Sequence, residues 1–305
     1  MRAALLAVGI LCAAVPRADA DEGDSKTLEW QGVERSYVLY EPQDEAAKPM
    51  PLILAFHGAG GNAREFAGET KLAGPALKRG MMVVFADGTE RAPGRRVWNA
   101  HFCCGAAQSD DIGFVGAVIE RIAKDRPLDR RRVYATGMSN GGMFAYQLAS
   151  AHPEWFAAIA PVSATIGGTM RDGQVFVISV PKMPVSVEII HGRKDGYVLF
   201  DGGSSPNLKF PNRWKLSVAD AVSFWTAADV CPMDAAKDEP VARLLKRTDY
   251  RGCADGSEVV MWEIVDGEHS WPDDIFPSAD GKRSAAEEIV RFFSAHARSE
   301  NDATR

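Results

Sequence analysis

The sequence predicts an α/β fold in which a mostly parallel sheet carries helices on both faces. Short apolar runs alternate along the chain with segments whose apolar residues recur at helical spacing. Strands that are apolar throughout are typical of parallel sheets, because helices cover both of their faces. No linker divides the chain after its first 20 residues, so we expect one domain over residues 21–305.

Seven runs are expected to be strands. The first alternates apolar and polar residues, as an edge strand does, and the others are short and mainly apolar. In chain order the predicted strands are Ser36–Tyr40, Pro51–Phe56, Met81–Ala86, Arg132–Thr136, Phe156–Val162, Val185–Ile190 and Val259–Val265.

Four segments between or after these strands show helical spacing. Asp110 and Asp111 precede the first of them, and acidic residues at this position favour a helix start because they offset the helix dipole. The predicted helices are Ile112–Ile122, Gly141–Ser150, Trp214–Ala228 and Ala285–His296.

The composition excludes several classes of protein. The chain has 305 residues, of which 46% are hydrophobic and 25% charged. Such values are ordinary for a globular protein and exclude a disordered tail or a collagen-like fibre. The net charge is −6. Without a basic surplus, we expect no nucleic-acid partner.

The first 20 residues have the layout of a secretory signal peptide. Arg2 gives a positive start, Ala3–Val15 is apolar, and Ala18–Ala20 supplies the small residues of a cleavage site after Ala20. The apolar run is too short to span a bilayer, which takes about 20 residues. No later run is long and apolar enough to be a membrane anchor, so we expect a secreted protein, extracellular or periplasmic.

Export makes disulfides the expected state of the cysteines. Of the five cysteines, Cys12 falls in the signal peptide, which leaves Cys103, Cys104, Cys231 and Cys253. Four cysteines in an oxidising compartment allow three connectivities. The adjacent pair could form a vicinal disulfide, stay as thiols or pair elsewhere. Zinc sites need spaced cysteine ligands, and because no such spacing is present we expect no metal.

The strongest motif is a G-x-S-x-G pentapeptide at Gly137–Gly141. It lies between a predicted strand and a predicted helix. In this context the sharp turn exposes Ser139 above the sheet at a helix N-terminus, where developing negative charge is stabilised. The pentapeptide alone has little specificity, and the strand–turn–helix context gives it weight. We therefore expect Ser139 to be a nucleophile.

A serine nucleophile needs a base and an acid, which follow it in chain order on loops after strands. His269 follows the last predicted strand, and Asp195 follows the strand before it. The order rule makes Asp195 the acid and His269 the base. Asp201 and Asp266 are weaker choices for the acid. We interpret His191 as a structural histidine.

An oxyanion hole needs backbone N–H groups aimed at the developing charge. Asn140 directly follows the nucleophile and supplies one of them. We expect the second from Ala59, in the glycine-rich loop His57–Gly61 after an early strand. His57 is expected to brace this loop and not to titrate.

The same loop supports a competing hypothesis, a nicotinamide-dependent oxidoreductase. Gly58, Gly60 and Ala63 fit G-x-G-x-x-A, and Asp87 follows the next strand, where it could bind a ribose. Export argues against it, since nicotinamide cofactors are scarce outside the cell. Asp87 also lies later than the usual spacing of about 20 residues.

Taken together, the motifs resemble those of the polyhydroxybutyrate-depolymerase-like esterases, a family that also holds secreted feruloyl and acetylxylan esterases. They follow the order of that family and cover most of the chain after the signal peptide. The matching segments are Leu54–Gly61 (LAFHGAGG), Trp98 with Cys103–Gly105 (CCG), Asp110–Phe114 (DDIGF), Gly137–Met143 (GMSNGGM), His191–Val198 (HGRKDGYV) and Gly267–Pro272 (GEHSWP).

The resemblance implies an α/β-hydrolase fold. It also implies Ser139, Asp195 and His269 as nucleophile, acid and base, in agreement with the order argument. By the same resemblance Cys231 and Cys253 form a disulfide. It implies ester hydrolysis through an acyl-enzyme, without a cofactor.

Three aromatic residues near the motifs are expected to contact substrate: Trp271, two residues after His269, together with Trp98 and Phe102. Aromatic faces suit a sugar ring, a feruloyl ring or a hydroxyalkanoate chain, so they do not select among these substrates. The alternative interpretation is that these rings belong to the core.

We therefore expect a secreted serine esterase whose partner is an ester substrate, either a polyester oligomer or an acylated polysaccharide. Polyhydroxyalkanoate esters or oligomers are the first choice, and feruloyl or acetylxylan esters are the alternative. A peptidase with the same triad and a non-catalytic binding protein are two further alternatives, since a fold does not fix a function. The sequence makes no prediction of oligomeric state.

Overall fold

The computed structural model describes residues 23–43, 48–104, 109–170, 172–207, 213–232, 234, 236–279 and 281–299. The expected signal peptide, residues 1–20, lies outside the described residues. Among the helices that the structure describes, none has the length and apolar character needed to cross a membrane.

The strands fall into one large sheet and three small ones. The described strands are β1 (Asp24–Trp30), β2 (Val33–Tyr40), β3 (Met50–Phe56), β4 (Met82–Ala86), β5 (Thr89–Ala92), β6 (Arg95–Val97), β7 (Leu128–Met138), β8 (Ala158–Val162), β9 (Gly167–Thr169), β10 (Val175–Val177), β11 (Ser186–Gly192), β12 (Gly203–Ser204), β13 (Trp214–Lys215), β14 (Ala236–Ala242), β15 (Leu245–Tyr250), β16 (Val259–Ile264), β17 (Phe276–Ser278) and β18 (Gly281–Arg283).

The large sheet has the strand order β1-β2-β4-β3-β7-β8-β11-β16-β15-β14. Its six central strands, from β4 to β16, run parallel. Antiparallel pairs close it at both ends. The predicted α/β-hydrolase architecture, with a mostly parallel central sheet, is confirmed.

The helices cover both faces of this sheet. They are α1 (Ala63–Thr70), α2 (Ala73–Leu77), α3 (Asp111–Asp125), α4 (Asn140–Ala151), α5 (Val218–Ala228) and α6 (Ala285–Ser294). Residues of β3 alternate between two apolar clusters: Leu54 and Phe56 pack with α3, α4 and α5, whereas Ala55 packs with α1, α2 and α6. Both faces of the central strands are therefore buried, which explains their continuous apolar runs.

Two element predictions differ from the structure. The segment Ser36–Tyr40 is not an edge strand, because β1 pairs along its outer side. The helix predicted to start at Trp214 starts at Val218, where Ser217 and Asp220 form a capping box. Before that cap, β13 joins a small sheet with β9 and β12. Apolar spacing alone did not reveal the cap.

The disulfide between Cys231 and Cys253 has an S–S distance of 2.02 Å and joins the end of α5 to the segment before β16. It is the pair that the family resemblance implies. Cys103 and Cys104 form a second, vicinal disulfide. Of the alternatives left open for the adjacent cysteines, the structure has the vicinal pair.

Asp229, at the end of α5, makes stability depend on pH. Its Oδ1 accepts the N–H of Val185 at 3.1 Å, while Oδ2 is buried and has no partner among the described residues. Burial raises the pKa of Asp229 to about 7, whereas the pKa of an unfolded aspartate is about 3.9. Between these values the native state holds a proton that the unfolded state has lost, so the free energy of unfolding falls as pH rises toward 7.

We expect Asp229→Asn to remove this loss, which amounts to on the order of 4 kcal/mol between pH 4 and pH 8. The measurement is the urea midpoint of both proteins at pH 5 and pH 8.5. The variant should gain stability relative to wild type at the higher pH. If the urea midpoints of variant and wild type differed by the same amount at both pH values, Asp229 would not be the source of the pH dependence.

Candidate active site

Ser139 occupies a strained turn between β7 and α4. Its φ is +55°, a left-handed conformation that serine seldom adopts, and its N–H donates to the Val162 carbonyl at 2.9 Å. The turn needs glycine on both sides. A Cβ on Gly137 would lie 2.7 Å from the Phe56 carbonyl oxygen, and one on Gly141 would overlap the same atom. The two glycines of the motif therefore let the turn pack against β3.

We expect Gly141→Ala to lower the free energy of unfolding by about 3 kcal/mol, because the added methyl group meets backbone that cannot move aside. Gly68→Ala is the matched control. Gly68 lies within α1, and a Cβ there meets nothing within 4 Å. The control should hold or gain stability, since alanine favours a helix over glycine. Urea midpoints of the two variants and of the wild type test this prediction. If Gly141→Ala and Gly68→Ala changed the midpoint equally, the prediction would be refuted.

Asp195 and His269 form a hydrogen-bonded pair. Asp195 follows β11, and its Oδ2 accepts from Nδ1 of His269, in the loop after β16, at 2.7 Å. The other oxygen, Oδ1, accepts the N–H groups of Tyr197 and Val198, each at 2.8 Å. These bonds fix the carboxylate, which in turn fixes the orientation of the imidazole ring. This arrangement leaves Nε2 of His269 as the ring nitrogen that can accept a proton.

His191 also contacts Asp195. Its Nε2–H donates to the Val198 carbonyl at 2.8 Å and lies 3.3 Å from Oδ2 of Asp195. Burial acts to raise the pKa of Asp195, but the hydrogen bonds from His191 and His269 outweigh it and hold this pKa well below its usual range. Asp195 is therefore a carboxylate across the neutral pH range. His191 has the structural position expected from the sequence, in direct contact with Asp195.

The loop after β3 is braced by His57. Its Nδ1 donates to the Gly58 carbonyl at 2.7 Å, and its Nε2 accepts the N–H of Gly88 at 3.0 Å. Burial lowers the pKa of His57, so the ring is neutral and holds the loop. This is the bracing role expected from the sequence.

The two residues expected to form the oxyanion hole lie in the loop after β3 and at the start of α4. Ala59 lines the pocket. Asn140 begins α4, and its buried side chain exchanges two hydrogen bonds with the backbone of Trp98, at 2.7 and 3.1 Å. The side chain thus forms hydrogen bonds with Trp98. The backbone N–H of Asn140 lies in the first helical turn, where no intrahelical acceptor exists.

Ser139 and His269 line the same cavity of about 600 Å³. The vicinal disulfide Cys103–Cys104 forms part of its wall. The remaining lining residues come from the loop after β3, helix α1, the segment after β6 and the segments around β7, β11 and β13. They are His57, Gly58, Ala59, Gly61, Asn62, Glu65, Phe66, Glu69, Phe102, Met138, Met143, Tyr197, Val198, Arg213 and Lys215.

Two of the three aromatic residues expected to contact substrate lie elsewhere. Trp98 is fully buried, where it stacks on Phe144 at 4.8 Å and its Nε1–H donates to the His57 carbonyl. Trp271 packs edge-on against Phe66 at 5.5 Å in the core. Both expectations are corrected: each indole is buried by its packing on a neighbouring ring, and neither residue lines the cavity. Phe102 lines the cavity.

The other acids considered from the sequence are engaged away from the cavity. Asp266 pairs with Lys194 at 2.5 Å, and Asp201 lies 3.8 Å from Arg193, with both carboxylates largely exposed. Among the described residues, no group of three or more histidine, cysteine, aspartate or glutamate side chains could hold a metal ion.

Asp87, which the oxidoreductase hypothesis assigned to a ribose, is bound internally. Its Oδ1 accepts the N–H of Ala63 at 2.7 Å, and its Oδ2 accepts the hydroxyl of Ser36 at 2.6 Å. Both oxygens thus tie the start of α1 to β2. Each oxygen of the carboxylate therefore already accepts a hydrogen bond from within the fold.

The sequence interpretation missed the charged lining of the cavity. Lys215 and Arg213 line it beside β13, and Glu65 and Glu69 line it from α1. Lys215 was assigned to a helix, and no local pattern signals its position. Tyr197 was also missed, although it lies two residues after Asp195 and its ring is 5.2 Å from that of His269.

Comparison with known proteins supports an esterase. Residues 35–182 match the family model of esterase PHB depolymerase, a region that includes Ser139 and the loop after β3. "Putative esterase NocK" from Nocardia uniformis subsp. tsuyamanensis is 29% identical over 284 residues, covering 86% of this chain and 79% of that protein. Feruloyl esterase B from Piromyces equi is 25% identical over 73% of this chain, which spans 40% of that enzyme.

A solved structure, the acetyl xylan esterase from Aspergillus awamori, superimposes with a TM-score of 0.58. It is 15% identical in sequence, and the match covers 89% of this chain and 99% of that one. At this identity the likeness shows the fold alone. The family match and the curated relatives carry the classification: the chain is a carboxylic-ester hydrolase, and its residues 35–182 are similar to the esterase PHB depolymerase family.

Proposed function

We propose that the enzyme hydrolyses esters through a triad of Ser139, His269 and Asp195. The observation that carries this proposal is the 2.7 Å hydrogen bond between Asp195 and His269, with His269 and Ser139 lining one cavity. A serine hydroxyl becomes nucleophilic when a base takes its proton. Nε2 of His269 takes that proton, and Asp195 stabilises the resulting imidazolium.

The reaction proceeds in two halves. Oγ of Ser139 attacks the ester carbonyl carbon, and the N–H groups of Ala59 and Asn140 stabilise the oxyanion. His269 then donates its proton to the departing alcohol, which leaves an acyl-enzyme. Water attacks the acyl carbon while His269 accepts the proton of that water, and the acid product leaves from a regenerated Ser139.

Hydroxyalkanoate esters or oligomers are the substrates that we propose first. The family match and a cavity of about 600 Å³ walled by Phe102 and the vicinal disulfide support this choice. Feruloyl or acetyl esters of plant polysaccharide are the second candidate, because feruloyl esterase B is among the relatives. Both choices use the same triad and differ in the acyl group and in the alcohol that leaves.

We also propose that the protein is exported. The two disulfides are the supporting observation, because disulfides persist in oxidising compartments. The signal peptide expected before residue 21 would direct that export.

A substrate panel tests the proposed function. The protein starting at Asp21 is assayed on 4-nitrophenyl butyrate, a hydroxybutyrate trimer methyl ester, methyl ferulate and acetylated xylan. We expect turnover of 4-nitrophenyl butyrate. Among the other three substrates, we expect the highest kcat/KM for the hydroxybutyrate trimer methyl ester. A preference for ferulate or acetylxylan would support the second candidate. Absence of any ester hydrolysis by folded protein would contradict the proposal.

A further inference from the structure

Lys215, on the short strand β13, buries an ammonium group in the wall of the cavity. The residue is 7% exposed, and within the described residues its one hydrogen bond goes from Nζ to the Tyr197 carbonyl at 3.0 Å. An ammonium carries three donors. Buried lysines are rare unless they are paired, because burial of an unpaired charge is costly. Lys215 therefore offers donors that a bound anion can use.

Lys215 is cationic at neutral pH, although its pKa is lowered. Burial lowers this pKa most, Arg213 lowers it further, and Asp195 raises it, so that the pKa is about 8. Asp195 does not serve as its partner, because both carboxylate oxygens already accept other hydrogen bonds. Glu65 and Glu69, the acids of the lining, belong to α1. The wall formed by residues 213–215 is thus a positive region of the cavity.

The contacts of Lys215 indicate which part of the ester lies near its ammonium group. Its ammonium bonds the carbonyl of Tyr197, whose N–H bonds Asp195 and whose ring lies 5.2 Å from that of His269. In the proposed reaction His269 protonates the leaving oxygen, so the alcohol part of the ester must lie beside His269. Lys215 is therefore on the alcohol side of the cavity.

We propose that Lys215 binds a carboxylate on the alcohol part, so that the enzyme selects esters whose leaving alcohol is a hydroxycarboxylate. This inference rests on the proposed function and narrows the proposed class of ester substrates. The last ester bond of a linear hydroxyalkanoate oligomer has such a carboxylate. Feruloyl and acetyl esters of xylan have a neutral sugar as the alcohol and give Lys215 no anion.

The test compares the linear dimer of 3-hydroxybutyrate with its methyl ester, which removes only the charge. Lys215→Met should lower kcat/KM for the acid by at least about tenfold, the effect of one hydrogen bond to a charged group. It should change kcat/KM for the methyl ester by less than about threefold. Lys215→Arg should retain the preference for the acid. Lys246→Met, an exposed lysine on β15, is the matched control and should change neither value.

Several outcomes would overturn the inference. If Lys215→Met lowered kcat/KM equally for the dimer acid and for its methyl ester, the ammonium would only support the Tyr197 loop. A wild-type preference for the methyl ester would refute the carboxylate site directly. If Lys215→Met fails to fold, the wild type still decides: 3-hydroxybutyrate should inhibit hydrolysis of 4-nitrophenyl acetate more strongly than its methyl ester does. Equal inhibition refutes the inference, whereas loss of all ester hydrolysis would refute the proposed function instead.

Discussion

Ser139→Ala is expected to lower kcat on 4-nitrophenyl butyrate by about 10⁴- to 10⁶-fold, the cost of removing a triad nucleophile. Alanine fits the turn as well as serine does, because the strain at φ +55° involves the backbone and not the hydroxyl. The fold should therefore be unchanged. Steady-state kinetics and the thermal midpoint of the variant check both expectations.

Ser223→Ala is the control for that experiment. Ser223 lies exposed on α5 and outside the cavity lining, so its loss should leave kcat unchanged. A folded Ser139→Ala variant with more than about a tenth of wild-type kcat would contradict the triad, because such an effect is far below that of a lost nucleophile.

Asp195→Asn is expected to lower kcat by about 10⁴-fold without unfolding the protein. The asparagine oxygen can still accept the N–H groups of Tyr197 and Val198, which bond Oδ1 of the aspartate. Its NH₂ group then faces Nδ1 of His269 as a donor. That nitrogen must become the acceptor, so the ring proton moves to Nε2. The base then presents a proton to Ser139 and cannot accept one.

The control for this substitution is Asp201→Asn. Asp201 is the other acid that follows β11, and its carboxylate is largely exposed. Its loss should change kcat by less than about twofold, because an exposed pair contributes little. If Asp201→Asn proved as harmful as Asp195→Asn, the acid would be assigned wrongly. Measuring kcat/KM of both variants at pH 7 separates the two possibilities.

The central sheet and the positions of the motifs could be predicted because their signals are local. The fully buried strand β3 is apolar throughout, and Gly137 and Gly141 mark a turn that has no room for a Cβ at either of these two positions. The rule that catalytic residues follow strand ends in a fixed order then placed Asp195 and His269 on neighbouring loops. These two side chains are hydrogen-bonded in the structure.

The lining of the cavity could not be predicted, because it depends on contacts between distant segments. Trp98 and Trp271 are close to the motifs in sequence, yet their indoles turn into the core. Lys215 reaches the Tyr197 carbonyl only because β13 pairs with β9 and β12. Spacing along the chain does not show whether a loop residue faces a cavity or the sheet beneath it.

The most direct test of the triad is to identify the residue that reacts with diethyl 4-nitrophenyl phosphate. Oγ of the nucleophile bonds the phosphorus atom, and 4-nitrophenolate leaves. Mass spectrometry of the digested protein should find the diethylphosphoryl group on Ser139, in step with the loss of esterase activity, and no label on Ser139→Ala. Loss of activity with the label on another residue would contradict the account.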